Sequence, residues 1–429
     1  MTAVELADIE AVRSVVAEVA APTPLFNSRV LSEAADAHVV YKAENLQRTG
    51  SFKIRGVTAK LHALGEKAEA GIVVASAGNH AQAAAYGAAT AGVPCEVFMP
   101  LGSSISKAEA TEAYGATVHI GGDSVEECIE MATDRARESG QVLVHPFDDP
   151  AVVAGQGTLG LELVSSLDDL SLVVVPLGGG GLAGGVAVAV KSLRPSARVV
   201  AVQAASCAPF PASLEAGRPV TVEGLATLAD GIAVKRPGEV TLPLIAEYVD
   251  QVVTVGEDEI ADAMVLLLER AKLVVEGAGA VGVAAMLAGR IEVPRGGTTA
   301  VVLSGGNVDT GLLTPAIRRH ETNAGRRLVL FARVSDRPGQ LARLLSVVGL
   351  TGANLVAVEH LREGFDLHVR ETAVHLVLET RNREHARAVV EAMRNEGYGV
   401  QVIARSGELG SGSGEGARPQ GRSEPGDVS

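Results

Sequence analysis

Through the first 320 residues, apolar positions fall into short unbroken runs, and the stretches between them are Ala-rich with helical spacing. The runs are Ile72-Val73-Val74, Cys95 to Met99, Thr117 to Ile120, Val142 to Val144, Leu172 to Val175, Val199 to Val202 and Ala300 to Leu303. The helix after the first run is expected from about Ala81. Runs this short, with no polar face, suit strands covered on both sides. Such strands separated by helices predict parallel sheets and an α/β scaffold up to about residue 320.

After His320-Glu321-Thr322-Asn323-Ala324-Gly325 the texture changes. Leu328 to Val334 predicts a strand and Asp336-Arg337-Pro338-Gly339 a turn, and Leu341, Leu344, Leu345 and Val348 stand at i, i+3, i+4 and i+7 on a helix. Strands around Leu355 to His360 and Val374 to Leu378 follow, then a helix from about Arg383 to Asn395 and a strand over Val400 to Ile403. The order βαββαβ predicts a ferredoxin-like unit over residues 327–404. From 405 to 429, Gly, Ser, Glu, Pro and Arg dominate without an apolar period, which predicts a disordered tail.

Composition narrows the partners. A chain of 429 residues, 47% of them hydrophobic, can bury two or three cores. A net charge of -14 speaks against nucleic acid and anionic membrane, leaving a small molecule as the partner. Cys95, Cys128 and Cys207 are scattered with no CxxC or Cys/His cluster, so neither disulfides nor a metal site is expected. The N-terminal segment through Glu5, Asp8, Ile9, Glu10 and Arg13 predicts an acidic amphipathic helix, not a signal peptide, and no segment reads as a membrane span. A soluble cytoplasmic protein is expected.

The candidate chemistry centres on Lys53, in the stretch from Glu44 to Gly56. It sits beside Phe52 in a turn flanked by Gly50 and Gly56. A free lysine has a pKa of about 10.4, so it serves as a nucleophile only where its surroundings depress that value, and such a lysine suits a Schiff base. Gly178, Gly179, Gly180 and Gly181 follow a buried run and open an apolar helix, the arrangement that cradles a phosphate. A dinucleotide reading lacks the acidic residue that ribose recognition needs. In the turn Ser76-Ala77-Gly78-Asn79-His80, the amides and the Ser76 hydroxyl could hold a carboxylate, and Asn79 could donate to a phenolic oxygen. For His80 a structural hydrogen bond is expected over general-base work, since nothing nearby orients the ring. Ser304, in Ser304-Gly305-Gly306-Asn307, falls at the carboxyl edge of a sheet, where ligands of open α/β folds collect. Glu276 is open between a buried functional acid and a cap for the following helix.

Together the Ser51 to Gly56, Ser76 to His80, Gly178 to Gly181 and Ser304 to Asn307 strings resemble the fold-type II pyridoxal-phosphate enzymes. Within that group the chain is similar to the threonine dehydratases (threonine ammonia-lyases) and to serine racemases. The resemblance implies a tryptophan synthase β-like catalytic domain over 1–320, with a smaller parallel-sheet subdomain at roughly 42–151 inserted in the larger one. It implies pyridoxal 5'-phosphate as cofactor, with Lys53 attaching it and removing the substrate's Cα proton. Phe52 would pack beside the ring, Asn79 would bond its phenolic oxygen, Gly178 to Gly181 would hold the phosphate, and Ser304 would face the pyridine nitrogen. A neutral hydroxyl there makes a milder electron sink than a carboxylate, which leaves room for β-elimination. Ser76, Ala77, Gly78, Asn79 and His80 would hold the substrate carboxylate.

The implied reaction converts L-threonine to 2-oxobutanoate and ammonia, and L-serine to pyruvate. Racemases of the group carry a serine where this chain has Ala77, which cannot move a proton, so one-sided elimination is expected. No carboxylate lies in segment 203–209, so no cation site is carried over. The 327–404 unit resembles an ACT regulatory domain, implying isoleucine or valine as effector near Asp336 and Asn354, and a homodimer or homotetramer. The alternatives are a serine racemase or serine dehydratase, a cysteine or threonine synthase, and a non-catalytic amino-acid sensor.

Overall fold

The computed structural model describes residues 4–362 and 370–403, in two compact units divided after His320. The tail at 405–429 lies outside the described residues. Among the described residues no helix is long and apolar enough to cross a membrane.

In the first unit the apolar runs become two sheets. The larger runs, edge to edge, Leu25–Asn27, His38–Ala43, Thr298–Leu303, Leu170–Pro176, Arg198–Ala204, Gln251–Val255. Every neighbouring pair is parallel except the first, which is antiparallel. The smaller runs Thr117–Ile120, Cys95–Met99, Ile72–Ala75, Val142–Leu143, all parallel. Its strands fall within 42–151, whereas residues 42 and 43 belong to the large-sheet strand.

The strands that hydrophobic patterning misses are ones whose composition disguises them. Leu25–Asn27 has three residues and follows Pro22-Thr23-Pro24. Gln251–Val255 is a half-buried edge. His38–Ala43 contains Lys42, whose ammonium is drawn inside by Thr23 O at 2.8 Å and Glu162 Oε2 at 2.6 Å.

Helix Pro150–Ser166 is the spacer between the elements that carry the site. A helix-interior glycine costs roughly 1 kcal/mol relative to alanine, yet this helix holds three, each packed close to the main chain of a neighbouring helix. A Cβ on Gly155 would stand 2.5 Å from Arg55 O in helix Lys53–Leu64. One on Gly157 would stand 2.5 Å from the Ile9 side chain and 3.0 Å from Gly185 O, and one on Gly160 2.8 Å from Ala189 Cβ and 2.9 Å from Val186 O, with Gly185, Val186 and Ala189 in helix Gly181–Leu193.

The second unit follows the order strand Arg327–Ser335, helix Gln340–Leu350, strands Asn354–Leu361 and Glu371–Glu379, helix Arg383–Asn395, strand Gly399–Val402. The sheet is antiparallel, with Arg327–Ser335 between Glu371–Glu379 and Gly399–Val402, and Asn354–Leu361 at the far edge. This is the ferredoxin-like arrangement. Leu328, Leu330, Val334, Leu376 and Leu378 form its core with Leu344, Val348, Val389 and Met393 of the two helices.

Candidate active site

Two motifs far apart in sequence are zipped together at the carboxyl edge of the large sheet. Phe52 N–H donates to Ser304 O at 3.1 Å, Gly306 N–H donates to Gly50 O at 2.9 Å, and Ser51 bridges Gly305. The turn reaches this register through consecutive left-handed residues, Thr49 at φ 61° and Gly50 at φ 72°. At Gly50 the Asn307 amide occupies the space a Cβ would need. Lys53 then opens helix Lys53–Leu64, and the adjoining Ser304 is buried.

The Lys53 amine donates to Pro146 O at 2.9 Å and lies 5.2 Å from the centroid of the Phe52 ring. Burial lowers its pKa to about 8, against the opposing pull of the Glu276 charge. An amine so placed releases its proton near neutral pH, as nucleophilic and general-base roles require.

The glycine run ends strand Leu170–Pro176 and opens helix Gly181–Leu193, with Gly180 in the N-cap position at φ 98° and no side-chain cap. The Phe147 ring fills the space over Gly179, Thr241 Cβ would stand 2.7 Å from a Cβ on Gly180, and Phe147 O 3.0 Å from one on Gly181. The loop is fastened from behind, where Thr241 Oγ1 donates to Gly179 O at 2.6 Å and Asp148 accepts from Val240 N–H at 2.8 Å and Glu239 N–H at 3.0 Å. An uncapped helix N-terminus built from glycines, which bring no side chains of their own, is an anion cradle. Because Phe147 packs on this loop and Pro146 accepts from Lys53, one short segment joins the amine to the cradle.

The turn Ser76 to His80 leaves the carboxyl end of strand Ile72–Ala75. Ser76 Oγ accepts from Gly78 N–H at 3.2 Å, and helix Asn79–Ala91 starts without a side-chain cap. Asn79 Nδ2 donates to Glu276 Oε1 at 2.7 Å, and Asn307 Nδ2 donates to Asn79 Oδ1 at 2.8 Å. Glu276 stands at the N-cap position of helix Gly277–Leu287 but caps nothing with its side chain, which is buried toward Asn79. Burial and then the Asp230 charge raise its pKa to about 7, opposed by the Asn79 hydrogen bond, Lys107 and Lys53. The His80 ring bonds Val144 O through Nε2 at 2.9 Å, and burial followed by the Lys53 charge lowers its pKa to about 3. The ring is therefore neutral at ordinary pH with Nε2–H as donor, which fits the structural role.

Lys53, Phe52, Asn79, Ser304, Glu276 and the glycine loop thus share one site. Asp336 and Asn354 belong to the second unit, where Asp336 pairs with Arg362 at 3.2 Å and Asn354 Nδ2 donates to Glu379 at 3.1 Å. The contributors that sequence reasoning missed include Asn307, Phe147 and Arg55. The first lay in plain view in the Ser304 to Asn307 string, and Phe147 was a lone aromatic in a chain with 3% aromatics. Arg55 carries no outward signal of its role. Two residues after Lys53, its guanidinium is buried, with Nε and Nη2 each donating to Glu44 at 2.8 Å and Nη1 to Glu162 at 2.6 Å. Burial alone would raise the Glu44 carboxyl, but the Arg55 charge and hydrogen bonds, the Thr23 hydroxyl and Lys42 hold it below the usual range.

Comparison with known proteins points the same way. The profile of the family described as pyridoxal-phosphate dependent enzyme matches residues 16–305. An L-threonine ammonia-lyase of Thermotoga maritima is 44% identical over 93% of this chain and 100% of its own. Among solved structures, maize serine racemase matches with a TM-score of 0.70 and 32% identity, over 75% of this chain and 98% of its own. A processed threonine deaminase isoform 2 from Solanum lycopersicum matches with a TM-score of 0.69 and 32% identity, over 73% of this chain and 92% of its own.

Proposed function

Since this chain belongs to the pyridoxal-phosphate-dependent enzymes, of the fold-type II α/β class, we propose that it is an L-threonine ammonia-lyase. Its cofactor is pyridoxal 5'-phosphate, and the residues present fit that group. The uncapped amides where the Gly178 to Gly181 loop opens helix Gly181–Leu193 suit a phosphate dianion. The buried amine of Lys53 suits an aldehyde. The Asn79 amide suits a phenolic oxygen, the buried Ser304 hydroxyl a pyridine nitrogen, and Phe52 the ring's flank.

When bound, pyridoxal phosphate supplies an electron sink for the pair left at Cα by proton removal. The chain's own residues do the rest. The turn Ser76 to His80, at the uncapped start of helix Asn79–Ala91, receives the substrate carboxylate. Lys53, partly neutral near pH 8, takes the Cα proton. The β-hydroxyl leaves as water, with a proton balancing the one taken from Cα, and the enamine left tautomerises and adds water to give 2-oxobutanoate and ammonia; L-serine gives pyruvate by the same steps. Ala77 offers no proton donor in this turn, which disfavours racemisation. The observation that carries the reading is the juxtaposition of the depressed Lys53 amine with an uncapped glycine cradle and the Asn79 amide.

The second unit is proposed to be an ACT regulatory domain that binds isoleucine or valine near Asp336 and Asn354. The enzyme is proposed to act in the cytoplasm as a homodimer or homotetramer. Purified protein assayed for 2-oxo acid from L-threonine and from L-serine, with Lys53→Ala alongside, tests the catalytic reading. Rapid 2-oxobutanoate formation that disappears in the variant supports it. Bound cofactor with neither oxo acid formed would move the assignment to a racemase or synthase.

A further inference from the structure

The hydrogen bonds around Asn79 have a fixed direction. Thr49 O is a main-chain carbonyl and can only accept, so Asn307 meets it with its amide nitrogen, at 2.7 Å. The same nitrogen reaches Asn79 Oδ1 at 2.8 Å, with a longer contact to Gln82 Oε1 at 3.4 Å. With its oxygen held on that side, Asn79 turns its nitrogen to Glu276 Oε1, 2.7 Å away. The orientation of both amides follows from an obligate acceptor in the backbone at one end and a carboxyl oxygen at the other. One Asn79 N–H lies outside these bonds.

We propose that Asn307 and Glu276 are positioning residues that hold the Asn79 amide with this remaining N–H directed at the phenolic oxygen of the cofactor. The inference rests on the cofactor reading given above. It assigns Glu276 a role as acceptor and Asn307 a role as the link to the lysine turn, through Thr49. Asn79 opens the helix that follows strand Ile72–Ala75 of the small sheet. Glu276 and Asn307 both come from elements at the carboxyl edge of the large sheet, so the large-sheet side grips a residue carried by the other. The charged groups facing Glu276 are Asp230, Lys107 and Lys53.

The test compares Glu276→Gln with Glu276→Met. Both remove the charge that faces Asp230, Lys107 and Lys53, and only glutamine keeps an oxygen to accept from Asn79. The readouts, taken without substrate, are the pH titration of the bound cofactor's absorbance and the dissociation constant for pyridoxal phosphate. A hydrogen bond to an ionised oxygen is worth enough to move its titration by about one pH unit. Glu276→Met is therefore expected to titrate about one unit above Glu276→Gln and to bind cofactor on the order of tenfold more weakly. Identical titration and affinity in the two variants would overturn the proposal. If Glu276→Met does not fold, Asn307→Leu decides, because it keeps the Glu276 charge and removes the donor that fixes Asn79. An upward shift from wild type supports the proposal, and an unmoved titration ends it. Wild-type protein with no cofactor absorbance at all would refute the parent reading instead, and this one with it.

Discussion

Replacing Arg55 by methionine should expose how the lysine helix is anchored. The side chain keeps most of its length and loses its charge, leaving Glu44, which is 0% exposed, without its main partner. Glu162 is 30% exposed and retains Lys42 at 2.6 Å, so it stays ionised at small cost. Breaking one side of a buried pair costs about 3–5 kcal/mol, nearly all of it here from the stranded Glu44 carboxylate. The cost should depend on pH. In the wild type the folded pKa of Glu44 lies below its unfolded value, so its contribution is present above roughly pH 4.3 and fades as pH falls through the folded pKa. In the variant burial dominates and the folded pKa lies above the unfolded one, so destabilisation grows as pH rises from 5 to 8. The chain has no Trp, so urea unfolding is followed by circular dichroism at both pH values. The double variant Arg55→Met/Glu44→Gln, which removes both charges, should recover to within about 2 kcal/mol of wild type. Equal, pH-independent losses in the single and double variants would refute the reasoning.

Turnover of threonine should rise through about pH 8, because burial holds the Lys53 amine there and folding favours its neutral form; a profile flat between pH 7 and 9 would contradict this. Gly180→Ala adds a Cβ 2.7 Å from Thr241 Cβ at φ 98° and should weaken cofactor binding on the order of tenfold or more, measured by equilibrium dialysis. Ala77→Ser supplies a hydroxyl in the substrate turn and should raise D-serine formation from L-serine above wild type; no D-serine by chiral chromatography would remove that residue from the argument. The proposed response of activity to isoleucine or valine should be present in the full chain and absent after truncation at residue 325, and a response that persists in the truncated protein would place the effector elsewhere.

The parallel-sheet scaffold was legible because fully covered strands are apolar at every position, as in Leu172 to Val175 and Ala300 to Leu303. Strands with one unfavourable feature were not, as with Lys42 in His38–Ala43, whose cost is offset by partners distant in sequence. The candidate site was legible where the proposed chemistry demands a residue type, as at Lys53 and Gly178 to Gly181. It was illegible where a residue acts by holding another. Glu276 was open between cap and acid because its position suits a cap, and only the three-dimensional path to Asn79 separates the two. Arg55 and Asn307 likewise depend on partners at 44, 162, 49 and 79 that no local pattern connects.

The glycine contacts of helix Pro150–Ser166 make that helix a gauge block. The lysine helix lies against Gly155 and the glycine-loop helix against Gly157 and Gly160 with main chain close to main chain, and the side chains in the seam, Val152 and Gln156 against Gly56 and Ile9 against Gly157, are buried. The gap between amine and cradle is therefore set by close-packed backbone and buried side chains. Adaptation of this enzyme to a hotter or colder habitat has to be worked elsewhere, in its edges, loops and surface charges, because refitting this seam would reset the distance between the groups proposed to do the chemistry.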